Sequence, residues 1–139
     1  MTALPSRPCL RRASEAADHL YALVSPAAYP QHTLLVVTAD AESRPVHHIE
    51  VVDCAPDPST SECATVLDNL LAAVSGPDGA APSGLLLAVT RPGDAAVQDV
   101  DRVWFRAFHR VCHARGTSAL GFYVVGPYGA RPVQIDDAA

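Results

Sequence analysis

Lysine is absent: all ten basic side chains are arginines, set against fifteen carboxylates. The resulting formal net charge of −5 gives no overall field that would draw the chain to nucleic acid or to an anionic membrane. Arginine without lysine, beside abundant Ala, Pro and Val, points to a high-GC genome, so a single arginine says less about function than usual. No run approaches 18 apolar residues, and the best, Gly84 to Val89, has only the length of a strand. The start, Met1-Thr2-Ala3-Leu4-Pro5-Ser6-Arg7, lacks an apolar stretch behind a charged beginning, so a cytoplasmic protein is expected. Nor do any two cysteines form a C-x-x-C pair. Cys9, Cys54, Cys63 and Cys112 lie far apart, and free buried thiols are expected in a reducing compartment. Spacing alone leaves disulfide pairing open. There is no Gly-x-Ser-x-Gly elbow and no glycine-rich phosphate loop after a strand, and the H-x-E with P-C-x-x-C pattern of zinc deaminases is missing.

What is present reads as one ordinary domain. The 139 residues are 49% hydrophobic and 18% charged, which is a globular composition and not a disordered one. Residues 1–12 carry two prolines and three arginines without periodicity and are expected to be a mobile arm. The domain proper is expected over 13–135, followed by an acidic tail at 136–139. Ser14 suits the cap of a first helix, Glu15 to Val24, closed by Ser25-Pro26. Thr33 to Thr38 is a continuous apolar run, typical of a strand buried on both faces. A turn at Asp40-Ala41-Glu42-Ser43 leads to a second strand, Val46 to Val52, and an antiparallel hairpin. Ser61 suits the cap of a second helix, Glu62 to Val74, with Val66, Leu67, Leu70, Leu71 and Val74 in helical rhythm. After a Gly/Pro loop come a strand at Leu85 to Val89, the turn Arg91-Pro92-Gly93-Asp94 and a helix from about Val97 to His113, closed by Gly116. Leu120 to Val125 and Pro132 to Ile135 complete the strands. The order α-β-β-α-β-α-β-β predicts a three-layer α/β domain, a mixed β-sheet flanked by helices.

Four pieces carry a resemblance to a known family. They are a helix followed by the His-led strand His32 to Asp40, the long helix before the central strand, Leu87-Ala88-Val89-Thr90-Arg91-Pro92-Gly93-Asp94, and Gly121-Phe122-Tyr123-Val124-Val125-Gly126. In this order they resemble the RadC-like JAB (MPN-type) domains, over about Ser14 to Ile135, a fold broadly like that of cytidine deaminases. The third piece lies where that family carries its A-H-N-H-P-S-G-D signature. Asp101 follows Asp94 by seven residues, as an acidic residue follows the family's metal-binding aspartate. The departures bear on chemistry. Val89 and Arg91 stand where the family has its two zinc-binding histidines, and the signature serine is missing between Pro92 and Gly93. Of the metal positions only Asp94 matches. A catalytic zinc takes three protein ligands, and a guanidinium repels a divalent cation, so no metal, no cofactor and no catalytic residue are expected. An Arg91–Asp94 contact that fixes the turn, or a solvent-facing position for both, are equally open.

Other residues that suggest chemistry have plainer explanations. On the third helix Val100, Trp104, Ala107, Phe108 and Val111 centre an apolar arc, widened by Val103, Phe105 and Cys112. Opposite lie Arg102, Arg106, His109, Arg110 and His113, a solvated face and a candidate contact surface. The i, i+4 pair His109 and His113 has zinc-binding spacing, but a positive face is a poor place for a cation. His47 and His48 alternate along a strand, so one is expected to pack inward and the other to be wet. His32, near a strand start, reads as a loop or edge residue. Trp104, Phe105 and Phe108 read as core, whereas nothing fixes Tyr123 and Tyr128 beside the degenerate site.

Three functions follow for testing. The resemblance implies first a non-catalytic JAB-like module that binds a protein partner, with a homodimer as a candidate assembly, since metal-free members of the wider family serve largely as scaffolds. The second is an enzyme with a re-tooled cleft, in which Arg91 binds an anion and Asp94 or Asp101 acts as base. The third is a DNA-associated protein using the arginine face, disfavoured by the acidic net charge.

Overall fold

The computed structural model describes residues 8–24, 33–52, 54–75, 79–91 and 96–134. Helix α1 spans Ala13–Leu23, strand β1 Thr33–Ala39, β2 Pro45–Val51, α2 Thr60–Ala73, β3 Gly84–Thr90, α3 Asp99–Arg115, β4 Ser118–Gly126 and β5 Gly129–Pro132. The sheet order is β2-β1-β3-β4-β5. β1 runs antiparallel to β2 and to β3, β3 and β4 are parallel across α3, and β5 folds back antiparallel on β4. The described residues thus form a single α/β domain with a five-stranded mixed sheet and three helices. None of its described helices is long and apolar enough to cross a membrane.

Strand parity explains the two layers of core. Odd residues of β3 (Leu85, Leu87, Val89) join Leu34, Val36, Phe122 and Val124 beneath α2 and α3. The alternate set (Leu35, Val37, Leu86, Ala88, Tyr123, Val125) packs beneath α1. β1 and β3 are buried at every position, as their unbroken apolar runs imply. α3 presents Trp104, Ala107, Phe108, Val111 and Cys112 to the sheet, with Phe105 half-buried at the margin. Gly116 ends the helix at φ +68°, a left-handed conformation that carries little penalty without a Cβ.

The caps lie elsewhere than the sequence suggested. Ser14 is inside α1, whose N-cap is Arg12, while Glu15 accepts the Cys9 N–H at 3.2 Å. For α2 the cap is Ser59, not Ser61. Its hydroxyl accepts the Glu62 N–H and the Glu62 carboxylate accepts the Ser59 N–H, both at 3.1 Å, a reciprocal capping box. Those bonds hold the Glu62 carboxyl below its ordinary value of 4.5. Because that value is depressed on folding, the stabilisation is present above about pH 4.5 and fades as the pH falls through the lower folded value. Ser59→Ala is expected to cost about 1 kcal/mol. It should also flatten the loss of stability below pH 4.5. Urea midpoints of the two proteins between pH 3 and pH 7 would check both.

The segment expected as a mobile arm is anchored at its end. Leu10 is fully buried in the α1 layer, and its N–H donates to the Ser43 carbonyl at 2.8 Å. The reason is geometric: α1 alone covers too little of its sheet face, and Leu10 fills the remainder next to Ala16 and Leu20. Residues 1–7, His32, Ile135 and the acidic tail lie outside the described residues.

Candidate functional site

Val89 and Arg91, singled out by the expected resemblance, sit at the end of β3, where the chain leaves the parallel pair for α3. Val89 belongs to the core, at 7% exposure. Arg91 continues the same odd-numbered row of β3 and therefore points beneath the N-terminus of α3. Its backbone N–H is held by the Val125 carbonyl at 3.1 Å. Its guanidinium is 2% exposed, and its Nη2 donates to the fully buried Asp101 carboxylate. Nη1 donates to the Ala96 carbonyl at 3.2 Å, and Nε has no partner among the described residues. The other Asp101 oxygen accepts the Gln98 N–H at 2.7 Å and so caps α3.

Arg91 does not face solvent, and its carboxylate partner among the described residues is Asp101, in the first turn of α3. Asp94 lies outside the described residues. Asp101 was legible in principle, since it stands at i−3 and i−7 from Trp104 and Phe108, on the apolar arc of the helix. A charge on an apolar face requires a partner of opposite sign, and the parity of β3 aims Arg91 at it.

A cavity beside this pair is lined by Thr33, Leu34, Cys54, Val89, Asp101 and Trp104. It measures about 20 Å³. On that scale a single water needs about 10–15 Å³, so the space suits one water and no substrate. A larger apolar groove of about 210 Å³ adjoins it, between Val51, Val52, Cys63, Val66 and Trp104.

The donors at this place do not suit the zinc of the JAB family. Val89 offers no ligand atom and Arg91 is a cation. Among the described residues no three His, Cys, Asp or Glu side chains cluster with metal-binding geometry. All four cysteines are free. Cys63 and Cys112 are sealed in the core, with burial pushing both thiols up to about 12, whereas Cys9 and Cys54 are half-buried.

On the outer face of α3, Arg106, His109, Arg110 and His113 are exposed. The five residues singled out there do not all present charge. Arg102 is half-buried and paired with Asp99 at 2.6 Å. His109 lies against Phe105, with ring centroids 4.4 Å apart, and against Phe108 at 5.1 Å. That partial burial pushes its value below 6.5 and favours the neutral ring. Arg106 and Arg110 have no ion-pair partner among the described residues. Arg110 also borders a groove of about 360 Å³ between α2 and α3, lined by Ser61, Ala64, Thr65, Asp68 and Ala114.

His47 and His48 are both exposed, contrary to the expected inward–outward split, because among the described residues neither face of the sheet is fully covered at its β2 end. Tyr123 is buried beneath α1 and Tyr128 is 95% exposed, so neither borders the Arg91–Asp101 pair. No family model matches this sequence, and no curated protein matches it either.

Proposed function

We propose that the chain is a metal-free, JAB-like module that catalyses no reaction and binds an acidic protein segment on the outer face of α3. The buried Arg91–Asp101 pair carries this reading. An enzyme re-tooled here with Asp101 as its base would need Arg91 for an anion and Asp101 for a proton; the other candidate base, Asp94, lies outside the described residues. Instead each holds the other, the remaining Asp101 oxygen holds the helix cap, and the adjoining cavity has room for one water. A carboxylate whose two oxygens are committed to a guanidinium and a helix cap is poorly placed for general-base work. The pair does for the turn what a bound metal does in the JAB family: it ties β3 to the helix that follows.

The contact surface follows from what the helix leaves uncommitted. Arg106 and Arg110 project from a rigid element, Arg110 beside an open groove, and neither charge is neutralised by a described neighbour. In a protein of net charge −5 such a patch selects acidic side chains by local complementarity, not by the overall field.

Two measurements test the proposal together. After incubation with zinc and gel filtration, elemental analysis should find far less than one zinc per chain; one retained zinc per chain overturns the metal-free reading. Anisotropy with a fluorescent Glu/Asp-rich peptide should report salt-sensitive binding. Arg106→Ala/Arg110→Ala should weaken it about tenfold, because each exposed ion pair contributes up to about 1 kcal/mol. Affinity unchanged by the double substitution overturns the assigned face.

A further inference from the structure

The outer edge of β2 has no strand against it among the described residues, and it is self-complementary. The backbone N–H and C=O of His47 both turn inward, meeting the Thr38 hydroxyl at 3.1 and 3.4 Å. By strand alternation Ile49 and Val51 also turn inward, so His48 and Glu50 present their backbone donors and acceptors to the open edge. Side-chain faces follow from the pairing with β1. His48 lies opposite Val37 and Glu50 opposite Leu35, on the α1 face of the sheet. Ile49 and Val51 lie opposite Val36 and Leu34, on the face of α2 and α3. α1 packs over β4 and β5 and leaves the β2 end of its own face open. Val46 and Val52, at the two ends of the strand, are 49% and 56% exposed, two of only four large apolar side chains exposed among the described residues.

We infer that β2 pairs antiparallel with β2 of a second copy, about a two-fold axis through Ile49, to form one continuous ten-stranded sheet. A two-fold axis normal to the sheet pairs residues whose numbers sum to twice the axial residue, and both members of a pair share a face. The axis at Ile49 sets His48 against the second copy's Glu50, and Glu50 against its His48, in the two backbone-bonded positions. It also sets Val46 against Val52 at each end and Ile49 against itself on the other face. One step either way loses this. An axis at His48 opposes imidazole to imidazole and Val46 to Glu50, while an axis at Glu50 opposes carboxylate to carboxylate. Like charges directly across a ladder destabilise it, whereas opposite charges and apolar pairs contribute.

The bulge in the β1–β2 pairing, where Val46 is the extra residue beside Thr38 and Ala39, falls at the end of the segment and spares its centre. The strand is short, seven residues, so the dimer is expected to be weak, with half-association on the order of tens to hundreds of micromolar. This association uses a different surface from the α3 face and does not depend on it.

Sedimentation velocity over a concentration series tests the inference with the intact chain. The average mass should rise from 14.6 kDa toward twice that value as concentration increases through the association range. Glu50→Arg should weaken association about tenfold or more, because the imidazole–carboxylate pair is lost on both sides of the axis. His48→Glu/Glu50→Arg sets a carboxylate against a guanidinium in the same register and should recover dimerisation to within about threefold of the parent. Both positions are exposed, so circular dichroism should show the fold unchanged in each variant. A monomer at every concentration overturns the inference. A dimer indifferent to Glu50→Arg, or a double variant as weak as the single one, overturns it equally.

Discussion

Asp101→Ala is expected to destabilise the protein by about 3–5 kcal/mol, the cost of leaving a buried guanidinium without its counter-charge. For a chain of this size that corresponds to a fall in melting temperature of roughly 10–20 °C. The size of the effect follows from the burial. Arg91 and Asp101 are 2% and 0% exposed, so solvent cannot replace the lost partner as it would at an exposed pair. The same substitution also removes the acceptor for the Gln98 N–H at the start of α3. The informative comparison is Arg91→Met/Asp101→Leu, which removes both charges and keeps the volume filled. A buried ion pair replaced in this way is often neutral or stabilising, so the double variant should melt within a few degrees of the parent. Differential scanning calorimetry of the parent, Arg91→Met, Asp101→Leu and the double variant measures the coupling directly. If Asp101→Ala alone melts like the parent, the pair is not the tie between β3 and α3 described above.

The second large effect falls where the sequence gives least warning. Leu10→Ala should cost about 2–5 kcal/mol, the range for a fully buried leucine whose removal leaves a cavity. A leucine in a solvated arm would cost within about 0.5 kcal/mol of nothing. Urea denaturation decides between the two, and the slope of the transition should stay constant because the exposed area hardly changes. Val24, at the far end of α1 and 7% exposed, is a useful contrast, since its truncation removes less area from the same layer.

Periodicity made most of the secondary structure readable, and the failures share one cause. The unbroken runs of β1 and β3, and the apolar arc of α3, announce their burial because the same residue types recur at a strand or helix period. Leu10 recurs with nothing. It is one apolar residue in a polar stretch, and only the uncovered area beside α1 gives it a place. The Ser59–Glu62 box was legible as S-x-x-E, yet Ser61, nearer the apolar rhythm, drew the assignment. At the degenerate site the resemblance directed attention forward in the chain from Arg91 to Asp94, three residues on. The physics of burial directs it ten residues on, to the one carboxylate on the inner face of α3. Exposure of both His47 and His48 was not readable from alternation, which states that two faces exist and not whether a helix covers either.

Cys63 and Cys112 give the core a chemical reporter of its own. Both thiols are sealed from solvent and held in the protonated form at neutral pH, so a thiol-modifying reagent reaches them only when the layer under α2 and α3 opens. Cys9 and Cys54 stand half open at the surface and react with the native protein on a different clock. The chain therefore records its own breathing as two kinetic classes of the same side chain. The slower class measures how often the sheet and its two helices come apart.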